Sequence, residues 1–61
     1  MKRREFIKHL KSYGRLFLRE GKKHSVYYNS KNLKTSTVPR HSEIVDVLCK
    51  KICKDLEIPP P

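Results

Sequence analysis

Two stretches with helical apolar spacing, one near each end of the chain, bracket three short runs rich in β-branched and aromatic residues. No other feature constrains the fold as much. Near the start, Phe6, Leu10 and Tyr13 recur at i, i+4 and i+7 with Ile7 beside them, while Arg4, Lys8 and Lys11 fall on the opposite side. Lys2 to Tyr13 is therefore predicted to be an amphipathic helix. Gly14 stands where a helix commonly ends in a left-handed residue. Near the other end, Ile44, Val45, Leu48, Ile52 and Leu56 form an apolar face with Cys49 at its edge, and Asp46, Lys50 and Lys54 lie opposite. Ser42 is the predicted N-cap of that helix, with Glu43 and Asp46 in its first turn.

Between the helices, Arg15 to Glu20, His24 to Asn29 and Lys34 to Val38 read as strands. Gly21-Lys22-Lys23 and Ser30-Lys31-Asn32 read as the turns that join them, and Pro39 as the residue that stops the sheet. Connections this short predict an antiparallel meander. The order α-β-β-β-α predicts an α+β fold, a three-stranded antiparallel sheet with two helices packed on one face and the other face open. A chain of 61 residues is one domain. It buries only about 60% of the surface its unfolded form exposes, so a deep pocket would consume its core. Function belongs on the surface or at strand edges. The domain is expected to span residues 1–58, with Pro59-Pro60-Pro61 a loose tail, since proline cannot continue a helix.

The charge balance narrows the partners. Lys and Arg number 15 against 6 Asp and Glu, a formal charge of +9. Such an excess predicts a polyanionic partner: nucleic acid, an anionic membrane or an acidic protein. No apolar run approaches the ~20 residues of a membrane span. Met1-Lys2-Arg3-Arg4 lacks the apolar stretch of a signal peptide, so the expected location is the cytoplasm. Cys49 and Cys53 lie one helical turn apart, a poor geometry for a disulfide, and no second pair completes a zinc site. They are expected to be buried or half-buried reduced thiols. A Gly-rich phosphate loop and an HExxH site are both absent, and Glu5, Glu20, Glu43, Asp46, Asp55 and Glu57 are spread along the chain. No metal and no cofactor is expected.

Histidine then becomes the chemical candidate. Cutting RNA without a metal needs a base to take the 2′-hydroxyl proton and an acid to protonate the leaving oxygen. Imidazole suits either task, because its pKa lies near neutrality. His9 flanks the apolar face of the first helix and reads as packed or surface-exposed. His41, in Pro39-Arg40-His41, either binds a phosphate or shapes its loop. His24 follows Gly21-Lys22-Lys23 at the start of a strand, where glycine allows a tight turn and the lysines set positive charge beside the ring. A turn histidine is also often simply exposed.

Four ordered segments resemble the HicA toxin family, also called YcfA-like. Gly21-Lys22-Lys23-His24 followed by Val26 to Tyr28 is similar to the family's G-x-x-H turn and strand. Val38-Pro39-Arg40-His41, the segment Lys51 to Leu56, and the opening helix through Gly14 resemble three further family segments, so the likeness covers nearly the whole chain. The resemblance implies a fold like that of double-stranded-RNA-binding domains and the activity of an mRNA-cleaving toxin from a toxin–antitoxin pair. It also implies a HicB-type antitoxin as protein partner. The turn histidine that the family needs for activity falls on His24. Two positions depart from the pattern: Lys22 stands where many relatives carry serine, losing any hydrogen bond the serine provides, and Glu57 where many carry glycine.

The resulting expectation is a metal-independent endoribonuclease that cleaves mRNA, with His24 as general acid or base. Lys22, Lys23 and Arg40 are the expected phosphate contacts, each of which also reads as a solvated surface cation. Tyr28 shares the strand parity of His24 and either approaches the site or simply packs. The alternative function is a non-catalytic RNA-binding module, for which the imidazole is superfluous.

Overall fold

The computed structural model describes residues Met1–Pro61. Its elements follow the predicted order: α1 (Arg3–Ser12), β1 (Arg15–Glu20), β2 (His24–Asn29), β3 (Thr35–Pro39) and α2 (Asp46–Asp55). The strands form one antiparallel sheet in the order β1-β2-β3. Leu16 faces Tyr28 and Phe17 faces Tyr27, after which a bulge at Leu18 shifts the register so that Arg19 faces Val26 and Glu20 faces Ser25. Along the other side of β2, Val38 faces Ser25 and Pro39 faces His24.

The core lies between the helices and one sheet face. It joins Phe6 and Leu10 of α1, Tyr27 and Val38 of the sheet, and Ile44, Cys49, Ile52, Cys53, Leu56 and Ile58 from α2 and its flanks. Period-two alternation puts Ser25, Tyr27 and Asn29 on this face and His24, Val26 and Tyr28 on the other. Both cysteines are free and buried, as expected of structural thiols. Gly14 adopts φ +74 just after α1, the left-handed ending its position predicts. No helix is long and apolar enough to cross a membrane.

Several local expectations are corrected. Helix α2 begins at Asp46 rather than after Ser42, its N-cap is Val45, and no side chain caps it. The reason is tertiary: residues 42–44 pair with the chain start. The Arg3 amide donates to the Ser42 carbonyl at 2.9 Å, the Ile44 amide donates to the Met1 carbonyl at 2.8 Å, and Lys2 bridges Glu43. Ser42 thus serves the first turn of α1 through its backbone. Glu43 lies before the helix, so only Asp46 stands in the first turn of α2. Val45 is exposed, because Ile44 enters the core from the extended segment and the helical phase starts one residue later. Cys53, not counted on the apolar face, is fully buried there. Tyr13 falls beyond the helix end and is exposed, its ring edge-on to His9. Strand β3 runs one residue later than predicted and includes Pro39, whose missing N–H is tolerated on an edge strand.

The end of α2 uses Glu57 in the position that favours glycine. Glu57 has φ +59, its amide donates to the Lys54 carbonyl at 3.1 Å, and the Ile58 amide donates to the Cys53 carbonyl at 2.9 Å. This is the Schellman pattern with a side chain at its left-handed residue. That side chain is tied down. Lys34 Nζ donates to it at 2.8 Å and Asn32 Nδ2 at 2.6 Å, and the Lys34 hydrogen bond holds the carboxyl below its ordinary range. Past the helix, the Pro59 carbonyl accepts a bond from His9 Nε2 at 2.8 Å.

Candidate functional site

The turn between β1 and β2 carries three of the four expected site residues, and Gly21 fits it closely. The Gly21 amide donates to the His24 carbonyl at 2.7 Å. A Cβ on residue 21 would stand 3.1 Å from that oxygen, a tight contact that would push the two backbones apart by a few tenths of an ångström. Lys22, Lys23 and His24 are exposed on the turn. His24 begins β2 and shares the parity of Val26 and Tyr28, which puts it on the sheet face away from the helices.

Arg40 comes to the same turn from the end of β3. Its Nη2 donates to the Gly21 carbonyl, and its Nε lies 3.0 Å from Glu20 Oε1. Arg40 thus meets the turn that carries Lys22, Lys23 and His24. Tyr28 is half-buried further along β2, opposite Leu16 and Thr35. His41 is exposed in the bend after Arg40. His9 is absorbed by its contacts with Tyr13 and Pro59, which supports the packing role.

Three residues at the site were not singled out from the sequence: Arg3, Glu20 and Ser25. Arg3 Nε donates to the Pro39 carbonyl and its Nη2 to Ser25 Oγ, both at 2.9 Å. Ser25 Oγ in turn lies 3.1 Å from both Glu20 oxygens. The only available signal was the basic N-terminus, and nothing in spacing links Arg3 to a carbonyl 36 residues away. Arg3 also lines a shallow hollow with Lys2, Arg4 and Ser42, extending the basic surface from the turn to the start of α1.

This surface is mainly cationic, with the Glu20 carboxylate set inside it. Four carboxylates have ion-pair partners: Asp46 with the N-terminal amine, Glu57 with Lys34, Glu20 with Arg40, and Asp55 with Lys51. Lys2, Arg4, Lys22 and Lys23 have none, so their charge is available to an incoming anion. A second hollow, lined by Met1, Asp46, Cys49, Lys50, Pro60 and Pro61, mixes both signs and holds none of the turn residues. No three His, Cys, Asp or Glu side chains gather as a metal-ligand group. The arrangement offers exposed cations for phosphate oxygens and one imidazole for a proton.

A family model described as the HicA toxin of bacterial toxin–antitoxin matches residues 3–58. No curated protein and no solved structure matches the chain. The match takes in every element from α1 to the buried Ile58, with the glycine turn and its histidine inside it, and on that basis the chain belongs to the HicA toxin family.

Proposed function

We propose that this toxin is a metal-independent endoribonuclease that cuts mRNA, with His24 moving a proton in the reaction. In such a cleavage the 2′-oxygen bonds to phosphorus as the bond from phosphorus to the 5′-oxygen breaks. A base takes the 2′-hydroxyl proton and an acid gives one to the departing oxygen. His24 performs one of these transfers. Lys22, Lys23 and Arg40 hold the phosphates and offset the charge that develops on them. Arg40 keeps this capacity while bound to the turn. A guanidinium has five N–H donors, and two contacts engage it here.

The observation that carries the reading is the exposed His24 on a tight glycine turn, beside lysines that have no carboxylate partner. The fold order, like that of double-stranded-RNA-binding domains, suits recognition of RNA by shape and backbone contacts. A HicB-type antitoxin is the proposed protein partner, and the cytoplasm the proposed place of action.

The test is incubation of RNA with the purified protein in the presence of a chelator. Cutting is expected, and His24→Ala is expected to abolish it with the fold intact by circular dichroism. Cutting that persists in His24→Ala sinks the role of His24, and a requirement for magnesium sinks the metal-free mechanism. Intact RNA with tight, salt-sensitive binding favours a non-catalytic RNA-binding module instead.

A further inference from the structure

We propose that Glu20 and Arg3 are positioning residues, which hold the His24 turn for reaction through one continuous network. The proposal rests on the reading of His24 as the proton-transfer group. The network reaches the turn from both sides. Before His24, the Gly21 carbonyl accepts from Arg40, and Arg40 Nε is held 3.0 Å from Glu20. After His24, the Ser25 hydroxyl lies 3.1 Å from Glu20 and 2.9 Å from Arg3 Nη2. Across from His24, the Pro39 carbonyl accepts from Arg3 Nε at 2.9 Å. The backbone on either side of His24 and across from it is thereby tied to the end of β1, the end of β3 and the start of α1.

Glu20 is the informative member. It places a carboxylate inside a surface proposed to receive a polyanion, so for RNA binding alone it is unfavourable. Its ion pair with Arg40 is about half exposed, at 53% and 47%, so it contributes little to global stability. What it does is join Arg40 and Ser25, and through Ser25 also Arg3. A surface that only binds RNA gains from losing Glu20, whereas a site that must hold its imidazole in place gains from keeping it. The two roles predict changes of opposite sign.

The experiment compares the wild-type chain with Glu20→Ala, Glu20→Gln and Arg3→Lys. It reads kcat for RNA cutting, Kd for an uncleavable 2′-O-methyl RNA, and exchange of the Gly21 amide proton, which is bonded to the His24 carbonyl at 2.7 Å. Glu20→Ala is expected to lower kcat about tenfold or more, since small misplacements of a reacting group are costly. The same variant should bind the RNA analogue at least as tightly, exchange the Gly21 proton faster, and melt within a few degrees of wild type. Glu20→Gln keeps an acceptor oxygen and should recover part of kcat. Arg3→Lys keeps the charge but loses the fork, and should lower kcat with little change in Kd. A Glu20→Ala protein that cuts as fast as wild type or faster overturns the proposal, and so does unchanged Gly21 exchange. A wild-type chain that cuts no RNA defeats the ribonuclease reading by itself. In that case Gly21 exchange still decides whether the network holds the turn.

Discussion

Arg15 opens β1 and looks in the sequence like one more basic surface residue, yet it is only 9% exposed. Its Nε donates to the Leu56 carbonyl at 2.8 Å, its Nη1 to Tyr13 at 2.6 Å and its Nη2 to Glu57 at 3.2 Å. These carbonyls lie at the C-terminal ends of both helices, where the helix dipole is negative. Replacing Arg15 with Met keeps an apolar chain of similar length and removes all three donors. The buried bond to Leu56 is worth about 1.5–3 kcal/mol as a charged hydrogen bond. The other two carbonyls are partly open to water, so they add roughly 0.5 kcal/mol each. Asn29 Nδ2 remains near the Leu56 carbonyl, but at 3.4 Å it is a poor substitute. Relief of the buried charge works the other way, and the favourable helix ends offset that relief. The expected net loss is about 2–4 kcal/mol. A domain of this size has roughly 3–9 kcal/mol in total, so the melting temperature should fall by about 15–30 °C. Urea and thermal denaturation followed by circular dichroism read this directly. Arg15→Lys, which keeps the charge without the fork, should fall between wild type and Met. A loss for Arg15→Met below about 1 kcal/mol, or a gain in stability, would refute the reasoning, because desolvation would then outweigh the three bonds.

Ser42→Ala should change stability by no more than about 0.5 kcal/mol, because Ser42 contributes a backbone carbonyl and caps no helix with its hydroxyl; a loss near 1 kcal/mol in urea melts would restore it as a cap. Cys49 and Cys53 should resist alkylation by iodoacetamide in the native protein and react on unfolding, and equal rates in the two states would contradict their burial. Stability should also fall as the solution becomes alkaline. Burial pushes both thiols and the Tyr27 hydroxyl above their ordinary values, so the unfolded chain gives up these protons first. The thiol contribution is complete below about pH 8.5 and is lost as pH climbs through the unfolded and then the folded values. A urea midpoint that does not decline between neutral pH and pH ~10 would count against this.

Most of the fold is legible in the sequence. The 3.6-residue spacing of Phe6 and Leu10, the strand runs and the glycine after α1 are local signals, and each one survived folding because burial agreed with it. The start of α2 was not legible. Ser42, Glu43 and Asp46 form a sound local cap signal, but the chain start competes for the same backbone and takes residues 42–44 as a pairing partner. Tyr13 and Val45 fit the apolar pattern by spacing and yet lie exposed, because one helix ends and the other begins just where the pattern is extended.

The candidate site divides in the same way. Sequence by itself determined the parts that depend on neighbours along the chain: the excess of positive charge, the glycine turn, the histidine it presents and the lysines within it. The tertiary structure alone decided which cations lie near the turn and which do not. It brings Arg40 and Arg3 to the turn, sends Arg15 into the protein to serve helix ends, and places Glu20 as the link between two guanidiniums. Arginines at positions 3, 15 and 40 share one chemistry, and what separates their roles is which carbonyls and carboxylates the fold leaves within about 3 Å of each. That distance is set by strand register and helix docking across the whole chain, so no local stretch of sequence encodes it.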